Sequence, residues 1–151
     1  MKIEHIWPAT LHTPKVPGYD HPPYAQIVVT TRDSGERSVH IAGTFGNYAD
    51  GSIDVGDMAA QVRQAHENIR LCLEEIGGSV ENLVRVKIYV TDMELYLSEG
   101  NAVEMELAKH APATSTLVQI VRLANPDALV EIEAYAELGV GNQLLREMHM
   151  G

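Results

Sequence analysis

The chain has 151 residues, enough for one domain with a real core, and 45% of them are hydrophobic. Lys and Arg number 11 against 21 Asp and Glu, so the formal net charge is −10. Because nucleic acids and anionic membranes attract clustered positive charge, neither is an expected partner. A single cysteine, Cys72, excludes an intramolecular disulfide, and the first residues lack the pattern of a signal peptide. The expected location is therefore cytoplasmic.

The N-terminal part predicts a short strand followed by a proline-rich arm. The segment KIEHIW alternates apolar and polar residues loosely, as a strand does. Residues 8–23 then hold five of the seven prolines, which disfavours both helix and central strand. This segment is either an ordered arm or a flexible connector. If it is ordered, Tyr19, His21 and the following Tyr24 are candidates to lie over a pocket.

A hairpin and a long helix are predicted next. The segments AQIVVTT and SVHIAG flank the turn RDSGER, and the loop TFGNYADGSID lacks the spacing of phosphate-binding loops. The segment DMAAQVRQAHENIRLCLEEIGG has apolar residues at helical spacing. Asp57 is expected to cap this helix, and Gly77 and Gly78 to end it. Cys72 and His66 lie on or beside the apolar stripe, which favours structural over catalytic roles.

In the second half of the chain, the residue patterns predict strands at NLVRVKIYV, STLVQIV and ALVEIEAYAEL. They also predict a helix within TDMELYLSEGNAVEMELAKH, capped at Asp92 or Ser98. The order ββ-α-β-α-ββ, with an extra first strand, indicates an α+β fold in which two helices cover one face of a single sheet. The alternation assigns seven side chains to the open face: His40, Arg85, Lys87, Gln119, Glu131, Glu133 and Tyr135. This face is either solvated or part of a subunit interface.

No residue pattern identifies a reaction by itself. The seven histidines include no pair at the spacing of metal ligands, so no metal site is expected, and no GxSxG motif is present. Glu131 and Glu133 share one strand face. They are either solvated, or paired with Arg85 and Lys87 across the sheet, or one of them positions a water. From the residues alone, the prediction stops at an α+β domain with an interface pocket as one option.

Five segments together resemble the RidA/YjgF family of reactive imine and enamine deaminases. They lie between Tyr24 and Glu137, about three quarters of the chain, and read PPYAQ, VHIAG, the long helix, NLVRVKIYVTD and VRLANPDALVEIEAYA. The resemblance implies a chorismate-mutase-like (YjgF-like) fold with one mixed sheet. It also implies a homotrimer around a central barrel, with small-molecule pockets in three inter-subunit clefts and no cofactor. One domain would span 1–151, with a core at 24–138, the arm at 8–23 and a tail at 139–151.

The resemblance also implies which residues form the site. Tyr24 matches the family's pocket tyrosine, and Gly43 matches the glycine whose backbone lies beside the ligand. Glu131 matches the acid that holds the attacking water, and so is the expected catalytic residue. Asn101 corresponds, across an alignment gap, to a pocket asparagine, and Thr116 stands where active members often have cysteine.

The segment APATST departs from the family motif. Deaminating members have Pro-Ala-Arg-Ser, whereas residues 112–115 of this chain are Pro-Ala-Thr-Ser. That arginine grips the substrate carboxylate with paired, charge-assisted hydrogen bonds, which a hydroxyl cannot reproduce. Losing such a pair typically costs about 2–5 kcal/mol. Thr114 and Ser115 are therefore expected to offer hydroxyls to a larger or uncharged ligand, since Arg85 and Arg122 occupy other positions in the sequence.

Two functions follow from these expectations. The first is a deaminase-like hydrolase of an imine, enamine or related amine that is not the usual amino-acid-derived imine. The second is a trimer of the same kind that binds a metabolite without catalysis. A third activity attached to the family, ribonuclease action, is disfavoured by the net charge of −10.

Overall fold

The computed structural model describes residues 1–140 of the chain. Within them, the strands are β1 (Lys2–Ile6), β2 (Ile27–Thr31), β3 (Arg37–Phe45), β4 (Leu83–Val90), β5 (Thr114–Gln119) and β6 (Val130–Leu138). The helices are α1 (Met58–Glu75), α2 (Met93–Leu95) and α3 (Asn101–Ala108), with a 3₁₀ turn at Val80–Asn82 and a π-helical turn at Tyr96–Gly100. This order confirms the predicted arrangement and its extra first strand. All but the first two residues of the predicted tail, 139–151, lie outside the described part.

The six strands form one mixed sheet in the order β1-β2-β3-β6-β4-β5. The pair β4 and β5 is parallel, and the other four neighbouring pairs are antiparallel. The last strand, β6, lies between β3 and β4, and every second side chain along it is buried against the helices. Because side chains alternate between the two faces of a strand, the residues between these buried ones point to the open face.

The helix α1 covers the sheet with the predicted apolar stripe, whose fully buried members are Val62, Ala65, Ile69, Cys72 and Leu73. The backbone N–H of Ala60 donates to the Asp57 carboxylate at 3.0 Å, and Gly77 ends the helix with a φ of +87°. Burial raises the pKa of Cys72 to about 12, so its thiol is a neutral core group. His66 pairs with Glu104 of α3 and thereby links the two helices.

The second helical segment is not the single regular helix that the sequence predicts. It begins at Asp92, whose carboxylate accepts the Leu95 N–H at 3.0 Å, and the π-helical turn then interrupts it before α3. The interruption lies where Gly100 packs closely on α1. A Cβ added to Gly100 would lie 2.9 Å from the Tyr96 ring and 3.1 Å from Val62. The glycine therefore permits close contact between the helices, and Ser98 is not the cap.

The face of the sheet away from the helices carries the predicted polar and aromatic side chains, with one exception. Cross-strand pairing places His40, Tyr135, Arg85 and Thr114 in one row across four neighbouring strands. The exception is Gln119, whose predicted place on the open face is wrong.

Gln119 lies on the helix side of strand β5. It stands opposite the buried Val90, and its side-chain oxygen accepts the Met93 N–H at 2.8 Å. The parallel register with β4 puts Thr114, Thr116 and Val118 on the open face instead. Because side chains alternate with a period of two, a shift of one residue exchanges the two faces of a strand.

Within residues 1–140, no helix is long and apolar enough to cross a membrane.

Candidate functional site

Glu131 lies on the open face of β6, against the backbone of β3. The register between these strands is irregular between Ile41 and Thr44, and this irregularity brings Gly43 beneath the Glu131 side chain. A Cβ added to Gly43 would lie 2.8 Å from the Glu131 carboxyl carbon. Glycine at this position therefore makes the room that the carboxylate occupies.

The surroundings of Glu131 favour its protonated form more than water does. Burial raises the pKa of Glu131, and the neighbouring charge of Glu133 raises it further. Glu133 itself accepts a hydrogen bond from the Tyr89 hydroxyl at 2.6 Å. In residues 1–140 neither carboxylate forms an ion pair with Arg85 or Lys87, so the cross-sheet pairing considered above is not observed. A carboxylate with a raised pKa is a stronger base towards water.

Tyr24 lies on the loop that precedes β2, two residues before Gln26, whose carbonyl accepts the N–H of Ala42 next to Gly43 at 3.0 Å. The residue is 46% exposed. Partial burial raises the pKa of Tyr24, and the negative charge of Glu131 raises it further. The fold thus brings together Tyr24, Gly43 and Glu131, three of the predicted site residues that are far apart in sequence.

The proline-rich arm is ordered, and it builds a cavity next to Tyr24. The rings of Trp7 and His21 are stacked with their centroids 4.4 Å apart, and the Trp7 indole N–H donates to the Tyr24 carbonyl at 2.9 Å. The cavity has a volume of about 400 Å³ and is lined by His5, Trp7, His21, Pro23, Tyr24 and Ala25. Sequence reasoning missed Trp7 and His5, although Trp7 is the only tryptophan of the chain. Tyr19 is 76% exposed and does not line the cavity.

Thr114 and Thr116 lie on the open face of the edge strand β5. The Thr114 hydroxyl donates a hydrogen bond to the Val84 carbonyl at 3.0 Å, so its proton is not free for a hydrogen bond to a ligand. Thr116 is opposite Lys87, which is opposite Glu133. Two strand spacings amount to about 10 Å, so these threonines share a face with the Glu131 group without contacting it in one chain.

Arg85 and Lys87 lie opposite Thr114 and Thr116 on β4, but their charged groups lie over tyrosine rings. Arg85 is directly opposite Thr114, yet its guanidinium lies 5.6 Å from the ring centre of Tyr135, on the other side of β4. The Lys87 ammonium lies 5.8 Å from the ring centre of Tyr89 on its own strand. Arg122 donates to the Leu123 carbonyl within its own loop. None of these three side chains occupies the position of the missing motif arginine.

Ser115 and Asn101 lie away from the open face. Ser115 is opposite the buried Val86, so it points to the helix side of β5. Asn101 is an exposed residue at the start of α3, in the helix layer. Their ligand-binding roles stay predictions. The part of the chain that the structure describes also contains no group of His, Cys, Asp and Glu side chains suited to hold a metal ion.

Comparison with known proteins identifies the family of the chain. The family model described as Endoribonuclease L-PSP matches residues 20–138. A RutC family protein of Pyrococcus horikoshii is 36% identical over 86 residues, which are 57% of this chain and 67% of that protein. The structure of Rv2704 from Mycobacterium tuberculosis, a YjgF/YER057c/UK114 family member, is 34% identical, with 76% of this chain and 86% of that chain covered and a TM-score of 0.62.

The fold comparison agrees with the sequence comparison. The structure of the Escherichia coli YjgF gene product covers 88% of this chain and 97% of that chain, at 26% identity and a TM-score of 0.69. The matched family segment begins at residue 20, so β1 and most of the arm precede it. The chain therefore belongs to the Endoribonuclease L-PSP family, which includes the RidA and YjgF proteins, as its motifs predicted.

Proposed function

We propose that this protein is a RidA-like hydrolase that removes ammonia from an imine, enamine or related amine in clefts between the subunits of a homotrimer. The observation that carries the proposal is the position of Glu131. Its carboxylate has a raised pKa, lies in the space left by Gly43, and is coupled to Tyr24. Family membership suggests the reaction class, which is an argument by analogy.

The proposed reaction needs one base and one water molecule. The Glu131 carboxylate takes a proton from the water as its oxygen bonds to the imine carbon; the C=N π pair moves to nitrogen, which takes up a proton from solvent. Glu131 then gives its proton to the nitrogen of the resulting carbinolamine, and the C–N bond breaks to release ammonia. The hydroxyl group loses its proton to solvent as its oxygen forms a carbonyl group. An enamine enters the same route once its carbon is protonated, and Tyr24 packs against the ligand.

The separation of two groups on the open face supports a cleft between subunits. Tyr24, Gly43 and Glu131 form one group, and Thr114 and Thr116 form another about two strands away. The second group lies on β5, an edge strand of the sheet. A neighbouring chain packed on the open face would cover both groups and shield the carboxylate and its reacting water from bulk solvent.

The substrate that we propose lacks the usual carboxylate contact. Thr114 replaces the motif arginine, and the guanidinium of Arg85, the residue opposite Thr114 on β4, lies over the Tyr135 ring. A pocket without a fixed cation at this position has no paired hydrogen bonds for a carboxylate. It therefore suits a larger or uncharged imine better than an imine derived from an ordinary amino acid.

The test is ammonia release from a panel of imines generated in situ, comparing the native protein with Glu131→Gln. We expect the variant to lose about 10²- to 10⁴-fold in turnover, since the amide cannot accept the proton of water. Glu99→Gln is the matched control, because Glu99 is exposed in the helix layer. Turnover that survives in Glu131→Gln would remove Glu131 from the mechanism.

A second candidate function is a non-catalytic trimer that binds a metabolite. Thr114 favours it, because its hydroxyl proton is already donated to the Val84 carbonyl and the motif cation is missing. A ligand that binds the native state must raise the melting temperature. A metabolite that raises the melting temperature, is recovered unchanged by mass spectrometry and is not consumed over hours would support binding over catalysis.

We do not propose RNA cleavage, although the family description names an endoribonuclease. The formal charge of −10 opposes the accumulation of a polyanion on this chain. RNA hydrolysis that persists through repurification and disappears in Glu131→Gln would contradict this view.

A further inference from the structure

We infer that the cavity of the N-terminal arm is a binding subsite for a planar, uncharged aromatic group. On the basis of the proposed function, we assign this aromatic group to the side chain of the imine or enamine that reacts at Glu131. The cavity is defined by His5, Trp7, His21, Pro23, Tyr24 and Ala25 and is called the arm cavity below.

The size and lining of the arm cavity indicate the class of ligand. Its volume of about 400 Å³ falls in the range of small-molecule pockets. Four of its six lining residues carry aromatic rings, and none carries a fixed charge. Aromatic groups pack favourably on such rings in offset-stacked or edge-to-face geometry. Among residues 1–140, no Lys or Arg lines the cavity, which argues against a carboxylate or phosphate at this position.

Hydrogen bonds hold the rings of the arm cavity in place. The Trp7 N–H donates to the Tyr24 carbonyl, and His21 Nδ1 lies 2.6 Å from the Pro22 carbonyl. Because a carbonyl oxygen only accepts, His21 Nδ1 donates the proton of this contact. The stacked rings are therefore fixed before a ligand arrives, which lowers the entropy cost of binding.

Tyr24 connects the arm cavity to the reacting group. It lines the cavity, and two residues after it the Gln26 carbonyl accepts the N–H of Ala42, the neighbour of Gly43, at 3.0 Å. A substrate whose ring occupies the cavity would thus extend past Tyr24 towards Glu131. His5 and Trp7 precede the family-matched segment 20–138, and the other four lining residues lie within it, so residues outside the matched segment complete this subsite.

The experiment follows the fluorescence of Trp7, which is the only tryptophan and therefore reports on this cavity alone. The probe is para-nitrobenzyl alcohol, a neutral, planar quencher, and cyclohexylmethanol is its non-planar competitor. We expect saturable quenching that cyclohexylmethanol does not reverse. His21→Ala should weaken the apparent Kd about tenfold, since it removes one stacked wall. The control Tyr19→Ala, an exposed arm residue outside the lining, should leave the Kd unchanged.

This experiment distinguishes a failure of probe binding from a failure of catalysis. Glu131→Gln should bind the probe as the native protein does, so a failed hydrolase assay leaves the binding result intact. Quenching that stays linear with probe concentration would overturn the inference. An unchanged Kd in His21→Ala would overturn it as well, provided that the circular dichroism spectrum shows the variant to be folded.

Discussion

At the scale of single residues, Glu131 combines a chemical advantage with a cost in stability. Burial and the charge of Glu133 raise its pKa, so the ionised form is less favourable in the folded chain than in the unfolded one. The same shift makes the carboxylate a better base for activating water. The raised pKa therefore favours catalysis but lowers the stability of the folded chain when Glu131 is ionised.

We expect Glu131→Gln to raise the melting temperature at neutral pH. Between the ordinary value of 4.5 and the raised pKa, the native state binds more protons than the unfolded chain, so its stability falls as the pH rises through this window. The amide of the Glu131→Gln variant does not ionise, so the variant does not lose stability in this pH window. Calorimetry should show the difference in melting temperature at pH 7 and its disappearance below pH 4.5. Glu99→Gln should show no such trend, and an equal gain at all pH values would contradict the explanation.

The rate of hydrolysis should depend on pH through the same group. Because the base must be ionised, kcat/KM should rise with pH as Glu131 loses its proton, at a pH above the ordinary carboxyl value of 4.5. The Glu133→Gln substitution removes a negative charge near Glu131, so the rise of kcat/KM (the acidic limb of the pH profile) should move to lower pH. The new side chain can still accept the hydrogen bond from the Tyr89 hydroxyl. A limb that stays in place would mean that another group controls the rate.

Restoring the motif arginine tests what Thr114 does. The substitution Thr114→Arg should increase hydrolysis of amino-acid-derived imines tens- to thousands-fold, corresponding to about 2–5 kcal/mol from a paired carboxylate contact. Ammonia release coupled to an amino-acid oxidase measures it, with Val121→Arg as a control that adds the same charge at a residue 97% exposed. If the native protein already hydrolyses these imines as fast as the variant, the role assigned to Thr114 is wrong.

At the scale of elements, the irregularity in strand β3 and the straight strand β6 build the site together. The side chains of β6 alternate strictly, which fixes Glu131 on the open face. The shift between Ile41 and Thr44 then moves the backbone of β3 so that Gly43 lies under the carboxylate. Such irregularities commonly redirect a strand beside an active site.

Two glycines of this region should respond differently to alanine. In Gly43→Ala the new Cβ meets the flexible Glu131 carboxyl at 2.8 Å, so the carboxyl moves and turnover falls at least about tenfold, while the stability changes by less than about 1 kcal/mol. In Gly46→Ala the Cβ meets the backbone oxygen of Gln61 at 2.4 Å, which should cost about 1–3 kcal/mol. Urea denaturation and ammonia release measure both effects. A strongly destabilised Gly43→Ala would show that Glu131 cannot move.

At the scale of the whole molecule, the helices within residues 1–140 cover one side of the sheet only. The open face carries aromatic, acidic and basic side chains together with the two groups of candidate site residues. Antiparallel sheets tolerate one solvated face, so this asymmetry by itself does not require a partner. The separation of the two groups on the face supports the proposed trimer.

We expect the protein to elute as a trimer. Light scattering coupled to gel filtration should give three times the chain mass of 16.6 kDa. Dilution that dissociates the assembly should also reduce turnover, because the proposed clefts lie between subunits. A monomer with full activity would contradict the proposed inter-subunit site.

Much of the fold could be predicted from the sequence, because local patterns determine it. Helical spacing identified the buried stripe of α1, Asp57 and Gly77 marked its ends, and period-two alternation put Glu131 and Glu133 on one face. The family motifs pointed to Tyr24, Gly43 and Glu131, which the structure brings together. Each of these signals lies within about twenty residues of chain.

The remaining features depend on contacts between distant segments, so only the tertiary structure decided them. The register of β5 against β4 placed Gln119 on the helix side, and the close packing of Gly100 on α1 accompanies the interruption of the second helical segment. The arm cavity depends on the stacking of Trp7 and His21, which thirteen residues, three of them prolines, separate in the sequence. Alternation and composition describe a strand or a loop by itself. Which partner it meets, and in which register, depends on the packing of the whole chain.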